Sequence, residues 1–350
     1  TAPFPRRMLF VHISKYMYLN PLTAGQPGGS DRSKAFAQRL AFDWRVPTDK
    51  ADSQLFLVSD TAPPPETQNP VKNVVVGAYE QFFATSRPQD RIVVYFGGHA
   101  LEVDGKAYLA PIDGDLEDPA NTLIPLDDFY AKMKASKAAQ KVVIWDVCRF
   151  NPERGRQRPG SDPMPEGLSK ALLTPPEGVE AVVTCSPGEN ALEFFTLQLE
   201  PGTRAASYSG SNFLEAAKHV AEKAKVAKPA NPNDPLPIAD WAAAVGRRTT
   251  EMATAPVVGL KQTVQAAGKP RLPLADYNPD EPLAQRFNYP APPRGVPPTE
   301  IADLMQEFAV PPIKGDVAET GLTDLAFREE TLADYKADVT ADEILKDKDK

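Results

Sequence analysis

Five short apolar runs in the first 184 residues constrain the fold of the chain more than any other feature. They are rich in Val, Ile and Phe and too short for buried helices, which is typical of strands covered on both faces; they occupy residues 8–13, 55–58, 92–96, 142–147 and 179–184. Segments with helical periodicity separate them, so strand alternates with helix along the chain. This alternation predicts an α/β fold with a mostly parallel central sheet of about six strands and helices on both faces.

Charge, hydropathy and cysteine content exclude several classes of protein. The net charge of −8 argues against a general nucleic-acid-binding protein. No run of 18 apolar residues occurs, so we expect no membrane-spanning segment. Two cysteines cannot form a disulfide framework, which favours a reducing, cytoplasmic compartment, although a single Cys148–Cys185 bond stays conceivable. Because the chain begins with threonine, we expect a piece of a longer protein with flanking domains.

The acidic charge is concentrated at the end of the chain. Residues 276–350 hold 17 Asp and Glu against 8 Lys and Arg, a net charge of −9, which leaves residues 1–275 at +1. A proline-rich stretch at 275–298 introduces this segment. We therefore predict a globular domain at 1–275, followed at 276–350 by a proline-rich linker and an acidic, partly disordered tail.

Two of the predicted strands end in residues that can carry chemistry. The run at 92–96 continues into Gly97, Gly98 and His99, and the run at 142–147 continues into Cys148. In a parallel sheet the ligand crevice lies beyond the carboxyl ends of the strands, which would bring the imidazole and the thiol to the same edge. A thiol of ordinary pKa is only a few per cent thiolate at neutral pH, and a nearby histidine can stabilise the thiolate and protonate a leaving amine. Thiol and imidazole across one crevice are the minimum for acyl transfer.

The spacing and the flanking segments resemble the caspase-like cysteine peptidases, and within them the bacterial metacaspase-like type. His99 precedes Cys148 by 49 residues, and "VVYFGGHA" (93–100), "GKAYLAPIDGD" (105–115) and "DVCRF" (146–150) follow the family's order of elements over about residues 6–275. The resemblance implies a peptidase domain at 1–275, with Cys148 as nucleophile and His99 as general acid and base. It also implies that backbone N–H groups, those of Gly98 and Cys148, hold the oxyanion.

Three classes of function remain open on these residues. Ala100 replaces the family's glycine after the histidine, and Phe150 replaces the small residue two positions after the cysteine, which could narrow the oxyanion pocket. The first class is an active cysteine endopeptidase, and the second is a catalytically silent caspase-fold interaction or regulatory module. The third is an unrelated α/β enzyme in which Cys148 is an inert buried cysteine far from His99.

Acidic residues predict the substrate preference. Asp146 lies two residues before Cys148 and so on the same side of the strand; the resemblance places it at the base of the primary specificity pocket, with Asp31 as a second acid. Two carboxylates would favour a protein or peptide substrate with Arg, then Lys, before the cut. The loop at 151–160 then offers self-cleavage sites, at Arg154, Arg156 and Arg158. The alternatives are a helix cap for Asp31 and simple solvation for the arginines.

We expect no cofactor. The pair Asp127 and Asp128 is a weak calcium candidate, because the resemblance implies an acidic pair at a similar place in some metacaspases, but a helix cap is the simpler explanation. His12 is interpreted as a core histidine, His219 as a residue at the surface or boundary, and Cys185 as structural.

Overall fold

A computed structural model of the chain describes residues 6–22, 32–44, 46–48, 53–60, 69–147, 162–200, 203–223, 237–254 and 259–270. The predicted linker and tail at 276–350 lie outside these residues, so the division of the chain at residue 275 stays a prediction.

Strands and helices alternate through most of the described chain. In chain order the elements are β1 (Arg6–His12), α1 (Arg32–Asp43), β2 (Leu55–Ser59), α2 (Lys72–Ala84), β3 (Arg91–Gly97), β4 (Ala100–Val103), β5 (Lys106–Leu109), α3 (Pro119–Thr122), β6 (Ile124–Pro125), α4 (Leu126–Ala135), β7 (Gln140–Asp146), α5 (Glu166–Leu172), β8 (Glu180–Val183), β9 (Glu193–Glu200), β10 (Thr203–Ser211), α6 (Asn212–Lys223), α7 (Ile238–Ala253) and β11 (Gln265–Gly268).

The central sheet has six strands in the order β11-β8-β7-β3-β1-β2. The five predicted strands form its parallel part, and β11 pairs antiparallel with β8 at one edge. A mostly parallel sheet of six strands is therefore confirmed. The small sheet of β4, β5 and β6 and the β9–β10 hairpin are separate and antiparallel.

Helices cover both faces of this sheet, as predicted. On β7, Val143 and Trp145 belong to the buried cluster that includes side chains of α2, α4 and α5, whereas Val142 and Ile144 belong to the cluster that includes those of α1, α6 and α7. This alternation follows from the period of two along a strand. Because both faces are buried, the strand reads as a continuous apolar run.

Two elements differ from the sequence-based expectation. The sequence predicts no helix between residues 149 and 177, but the later part of this range contains α5, whose Leu168 and Leu172 are buried one turn apart. The β9–β10 hairpin was not predicted either. Neither element changes the order of the central strands.

Candidate functional site

His99 lies where the sequence predicts it, just past the carboxyl end of β3. It follows Gly98 and immediately precedes β4, and its side chain is fully buried. On the neighbouring strand β7, Asp146 is directly opposite Gly97. The histidine therefore stands beside the strand that leads into Cys148.

The imidazole ring of His99 is held by the segment that follows β1, residues 13–22, which we call the β1 exit loop. The Nε2 atom lies 2.6 Å from the carbonyl oxygen of Asn20. Since a carbonyl oxygen only accepts hydrogen bonds, Nε2 must carry the hydrogen. In the neutral ring Nδ1 is then the basic nitrogen, and it is the atom that can exchange a proton.

Tyr16, from the same loop, holds His99 in two further ways. Its hydroxyl accepts a hydrogen bond from the backbone N–H of His99 at 2.7 Å and donates to the carbonyl of Ile13 at 3.2 Å. Its ring packs on the imidazole, with the ring centroids 4.4 Å apart and the planes tilted by 30°. Backbone, ring face and ring edge of His99 are therefore all in contact with one loop.

Close approach explains the two glycines before the histidine. A Cβ atom on Gly97 would lie 2.9 Å from the Tyr95 hydroxyl and 3.0 Å from a ring carbon of His12. A Cβ atom on Gly98 would lie 2.7 Å from the hydroxyl of Tyr16. Gly98 thus leaves room for the Tyr16 hydroxyl that contacts His99, and Gly97 leaves room for the side chains of Tyr95 and His12.

Asp60, at the end of β2, anchors the β1 exit loop. Its carboxylate accepts hydrogen bonds from the backbone N–H and hydroxyl of Ser14, at 3.0 Å each, and from the N–H of Lys15 at 2.6 Å. Burial raises the pKa of Asp60 above its ordinary value, while these hydrogen bonds oppose the rise. Asp60 therefore helps to fix the position of the loop that holds His99.

Asp146 is the one predicted pocket acid whose surroundings are described. It is fully buried on the sheet face that packs against α1, α6 and α7. One carboxylate oxygen accepts from the hydroxyl of Tyr95 at 2.7 Å, and the other from the hydroxyl of Thr184 at 3.0 Å.

The predicted oxyanion donor Gly98 is already engaged. Its backbone N–H donates to the carbonyl of Asp146 at 3.3 Å, a long hydrogen bond that continues the pairing of β3 and β7. The prediction for Gly98 therefore requires that this bond break when an oxyanion forms.

The remaining predicted site residues lie outside the described residues. These are Cys148, Asp31 and the arginines Arg154, Arg156 and Arg158. The structure brings together the strands that carry His99 and lead to Cys148, and it does not test the distance between the two side chains.

The other candidates from the sequence have ordinary surroundings. Asp127 and Asp128 lie exposed in the first turn of α4, whose N-cap is Pro125, so they complement the helix dipole and do not cap the helix. Among the residues that the structure describes, no group of three or more metal-ligating side chains occurs.

Cys185 is a buried free thiol, 3.8 Å from the carbonyl oxygen of Val147, and His12 is partly buried.

The sequence analysis did not identify Tyr16, Asn20 or Asp60. The acid that anchors the loop is 46 residues away from the serine it binds, and the loop itself has no periodicity. The only signal was indirect: two consecutive glycines before His99 indicate that something approaches the backbone closely.

Comparison with known proteins adds little beyond the fold. No protein-family model matches the sequence, and no curated protein matches it. The protein GSU0716 from Geobacter sulfurreducens is similar in structure, with a TM-score of 0.42 and 12% identity, covering 76% of this chain and 94% of that one. The Drosophila initiator caspase Dronc has a TM-score of 0.42 and 10% identity, covering 75% of this chain and 79% of that one. Similarity at this level carries no argument about activity, so the function has to be inferred from the residues of the chain itself.

The helices of the described segments were also compared with the length and hydropathy that a bilayer requires. None of them combines a length of 18 residues with enough apolar character to cross a membrane.

Proposed function

We propose that this protein is a cysteine endopeptidase in which Cys148 is the nucleophile and His99 the general acid and base. The observation that carries the proposal is the position of His99 beside β7. The histidine emerges from β3 directly next to the strand whose continuation is Cys148, and its Nε2 is held by the carbonyl of Asn20.

The proposed reaction is acyl transfer through the thiol of Cys148. His99 Nδ1 accepts the thiol proton of Cys148, and the thiolate attacks the carbonyl carbon of the scissile peptide bond. The imidazolium then protonates the leaving amine as the C–N bond breaks, which leaves a thioester on Cys148. Water, deprotonated by Nδ1, hydrolyses the thioester and restores the thiol. The hydrogen bond from Nε2–H to Asn20 stabilises the imidazolium in both steps.

For the substrate we propose peptides with a basic residue before the cut, Arg preferred over Lys. Asp146 supports this preference because a buried carboxylate at the end of β7, two residues before Cys148, pairs well with a cation, and the planar guanidinium can bind two oxygens at once. Asp31 would be the second acid. The basic loop at 151–160 would then be the place of self-processing, after Arg154, Arg156 or Arg158.

The experiment that tests the activity is a digest of a peptide library by the wild type, Cys148→Ala and Cys185→Ala. We expect cleavage by the wild type, at least a 1000-fold loss in Cys148→Ala, and near-normal rates in the Cys185→Ala control. Undiminished cleavage by Cys148→Ala would show that the nucleophile is another residue.

The experiment that tests the preference compares peptides that differ only in the residue before the cut. We expect Arg to exceed Lys and both to exceed Asp, and we expect Asp146→Asn to lower kcat/KM for the Arg peptide by roughly 10-fold or more. An unchanged preference for Arg in Asp146→Asn would remove Asp146 from the pocket. Mass spectrometry of the purified protein would locate any self-cleavage in 151–160.

A second candidate is a catalytically silent interaction or regulatory module. Two observations favour it: His99 is fully buried, and the Gly98 N–H is occupied by Asp146. Alkylation near neutral pH separates the candidates. In an active site Cys148 reacts much faster than the buried Cys185, and His99→Ala slows it, whereas equally slow reaction of both thiols indicates a silent module.

A further inference from the structure

Tyr16 contacts His99 both through a hydrogen bond and through ring packing. Tyr16 is 4% exposed, and its hydroxyl bridges two backbone groups, the N–H of His99 and the carbonyl of Ile13. A tyrosine that served only to fill space would not need a hydroxyl at this point, since burial of an unpaired hydroxyl is unfavourable. The hydroxyl is therefore part of the contact with His99.

The β1 exit loop, which carries Tyr16, is also held by contacts that do not involve His99. The β1 exit loop is held by Asp60 at Ser14 and Lys15, and backbone hydrogen bonds from Met17 to Ile112 (2.9 Å) and from Leu22 to Ser14 (2.8 Å) close it. The loop can thus act as a rigid template against which His99 is placed. Gly98 leaves the space that this requires, because a side chain there would overlap with the Tyr16 hydroxyl.

We propose that Tyr16 is a positioning residue for His99. Its hydroxyl fixes the backbone and its ring fixes the plane of the imidazole, so that Nε2 points at Asn20 and Nδ1 is the nitrogen that exchanges the proton. The catalytic part of this inference rests on the proposed peptidase function. The part that concerns the tautomer and the plane of the ring does not.

Two substitutions separate the contributions of hydroxyl and ring. Tyr16→Phe keeps the ring and removes the acceptor of the His99 N–H, while Tyr16→Leu removes both. Tyr18, two positions further along the loop and 44% exposed, offers the matched controls Tyr18→Phe and Tyr18→Leu. Thermal unfolding of each variant shows whether it folds, and if Tyr16→Leu does not fold, Tyr16→Phe carries the test.

The first readout is NMR of the full chain and does not need activity. The chain has three histidines, so substituting each of them in turn assigns the ring signals. We expect wild-type His99 to carry its hydrogen on Nε2, Tyr16→Leu to show a mixture of tautomers, and Tyr16→Phe to speed the amide exchange of His99 by at least about 10-fold. The Tyr18 variants should match the wild type. Unchanged His99 signals and exchange in the Tyr16 variants would overturn the proposal.

The second readout is kinetic. Misplacement of a catalytic group by about 1 Å can cost 10²-fold in rate, so we expect kcat to fall about 10-fold in Tyr16→Phe and about 100-fold in Tyr16→Leu, with KM unchanged. If only KM rises, Tyr16 contacts substrate and the positioning role is wrong. If the wild type has no peptidase activity but the NMR changes occur, the positioning role holds and the proposed function fails.

Discussion

Glu180 gives a quantitative prediction about the stability of the fold. It is the first residue of β8, at the end of the sheet opposite His99, and it is 7% exposed. One carboxylate oxygen accepts a hydrogen bond from the side-chain amide of Gln140 at 2.7 Å. Burial raises the pKa of Glu180 from 4.5 to about 7, and the hydrogen bond from Gln140 opposes that rise only in part.

The direction of the pH effect follows from proton linkage. Unfolded protein releases the Glu180 proton near pH 4.5, whereas folded protein keeps it until about pH 7. Between these values the folded state binds more protons, so the free energy of unfolding falls as pH rises. The contribution of Glu180 is fully present below pH 4.5 and is lost by about pH 7 to 8. Since one pKa unit corresponds to about 1.4 kcal/mol, the loss is at most about 3 kcal/mol.

Glu180→Gln should remove this dependence. The glutamine carbonyl can still accept from Gln140, and no charge forms in the buried position. We expect the variant to match the wild type at pH 4.5 and to exceed it at pH 8 by up to about 3 kcal/mol in the free energy of unfolding. Urea unfolding followed by tryptophan fluorescence at pH 4.5, 6, 7 and 8 measures the difference.

The control is Glu177→Gln, an exposed glutamate three residues earlier. It should leave the pH dependence of stability unchanged within about 0.5 kcal/mol. A Glu180→Gln variant that is less stable than the wild type at pH 8, or whose advantage does not vary with pH, would refute the reasoning about burial.

Three further predictions concern other parts of the molecule. Tyr130→Phe should cost about 1–3 kcal/mol in urea unfolding, because the Tyr130 hydroxyl accepts from the Trp145 indole at 2.9 Å and donates to the buried carbonyl of Leu172. Truncation after Ala275 should leave the circular dichroism spectrum and unfolding temperature of the domain intact, and a large loss of stability would show that the tail packs on the core. Chelation of calcium should change peptidase activity by less than twofold, and strong inhibition would restore the two aspartates of α4 as metal ligands.

The central sheet could be predicted from the sequence because its signal is local. Each strand buried on both faces reads as a run of β-branched and aromatic residues, and the order of elements then restricts the topology. The location of His99 at the carboxyl end of β3 could be predicted from the same local signal. No long-range information is needed for either conclusion.

The two elements that were not predicted, α5 and the β9–β10 hairpin, have weaker sequence patterns. In α5 the pair Leu168 and Leu172 has helical spacing, but a segment of seven residues gives too few positions to define a period. Before the β9–β10 pairing, the alternation of Phe195, Leu197 and Leu199 precedes the dipeptide Pro-Gly in the sequence, a pattern that favours a hairpin.

The contacts around His99 could not be predicted, because they join segments that are distant in sequence. Tyr16 and His99 are in contact although they are 83 residues apart in the sequence, and Asp60 and Ser14 are 46 residues apart. The residue pattern within one segment cannot predict such contacts, because each contact depends on the path of a loop that has no periodicity. The one sign of this contact in the sequence is Gly98, because any larger residue there would overlap with the Tyr16 hydroxyl.

These contacts also show why the sequence alone does not decide between the two functions, an active peptidase and a silent module. Holding Nε2 at the carbonyl of Asn20 fixes the tautomer of His99 whether or not a substrate ever reaches it. The two functions differ instead in two local events: exposure of the buried imidazole, and release of the Gly98 N–H from Asp146. Both events occur at the β3–β7 junction, and a bound peptide could drive both by pairing with the strand ends and placing its carbonyl oxygen at the Gly98 amide. A peptidase that works in this way would show Cys148 alkylation that exceeds that of Cys185 in the free protein and rises further with a non-cleavable peptide bound next to the site, whereas in a silent module Cys148 would stay slow with and without the peptide.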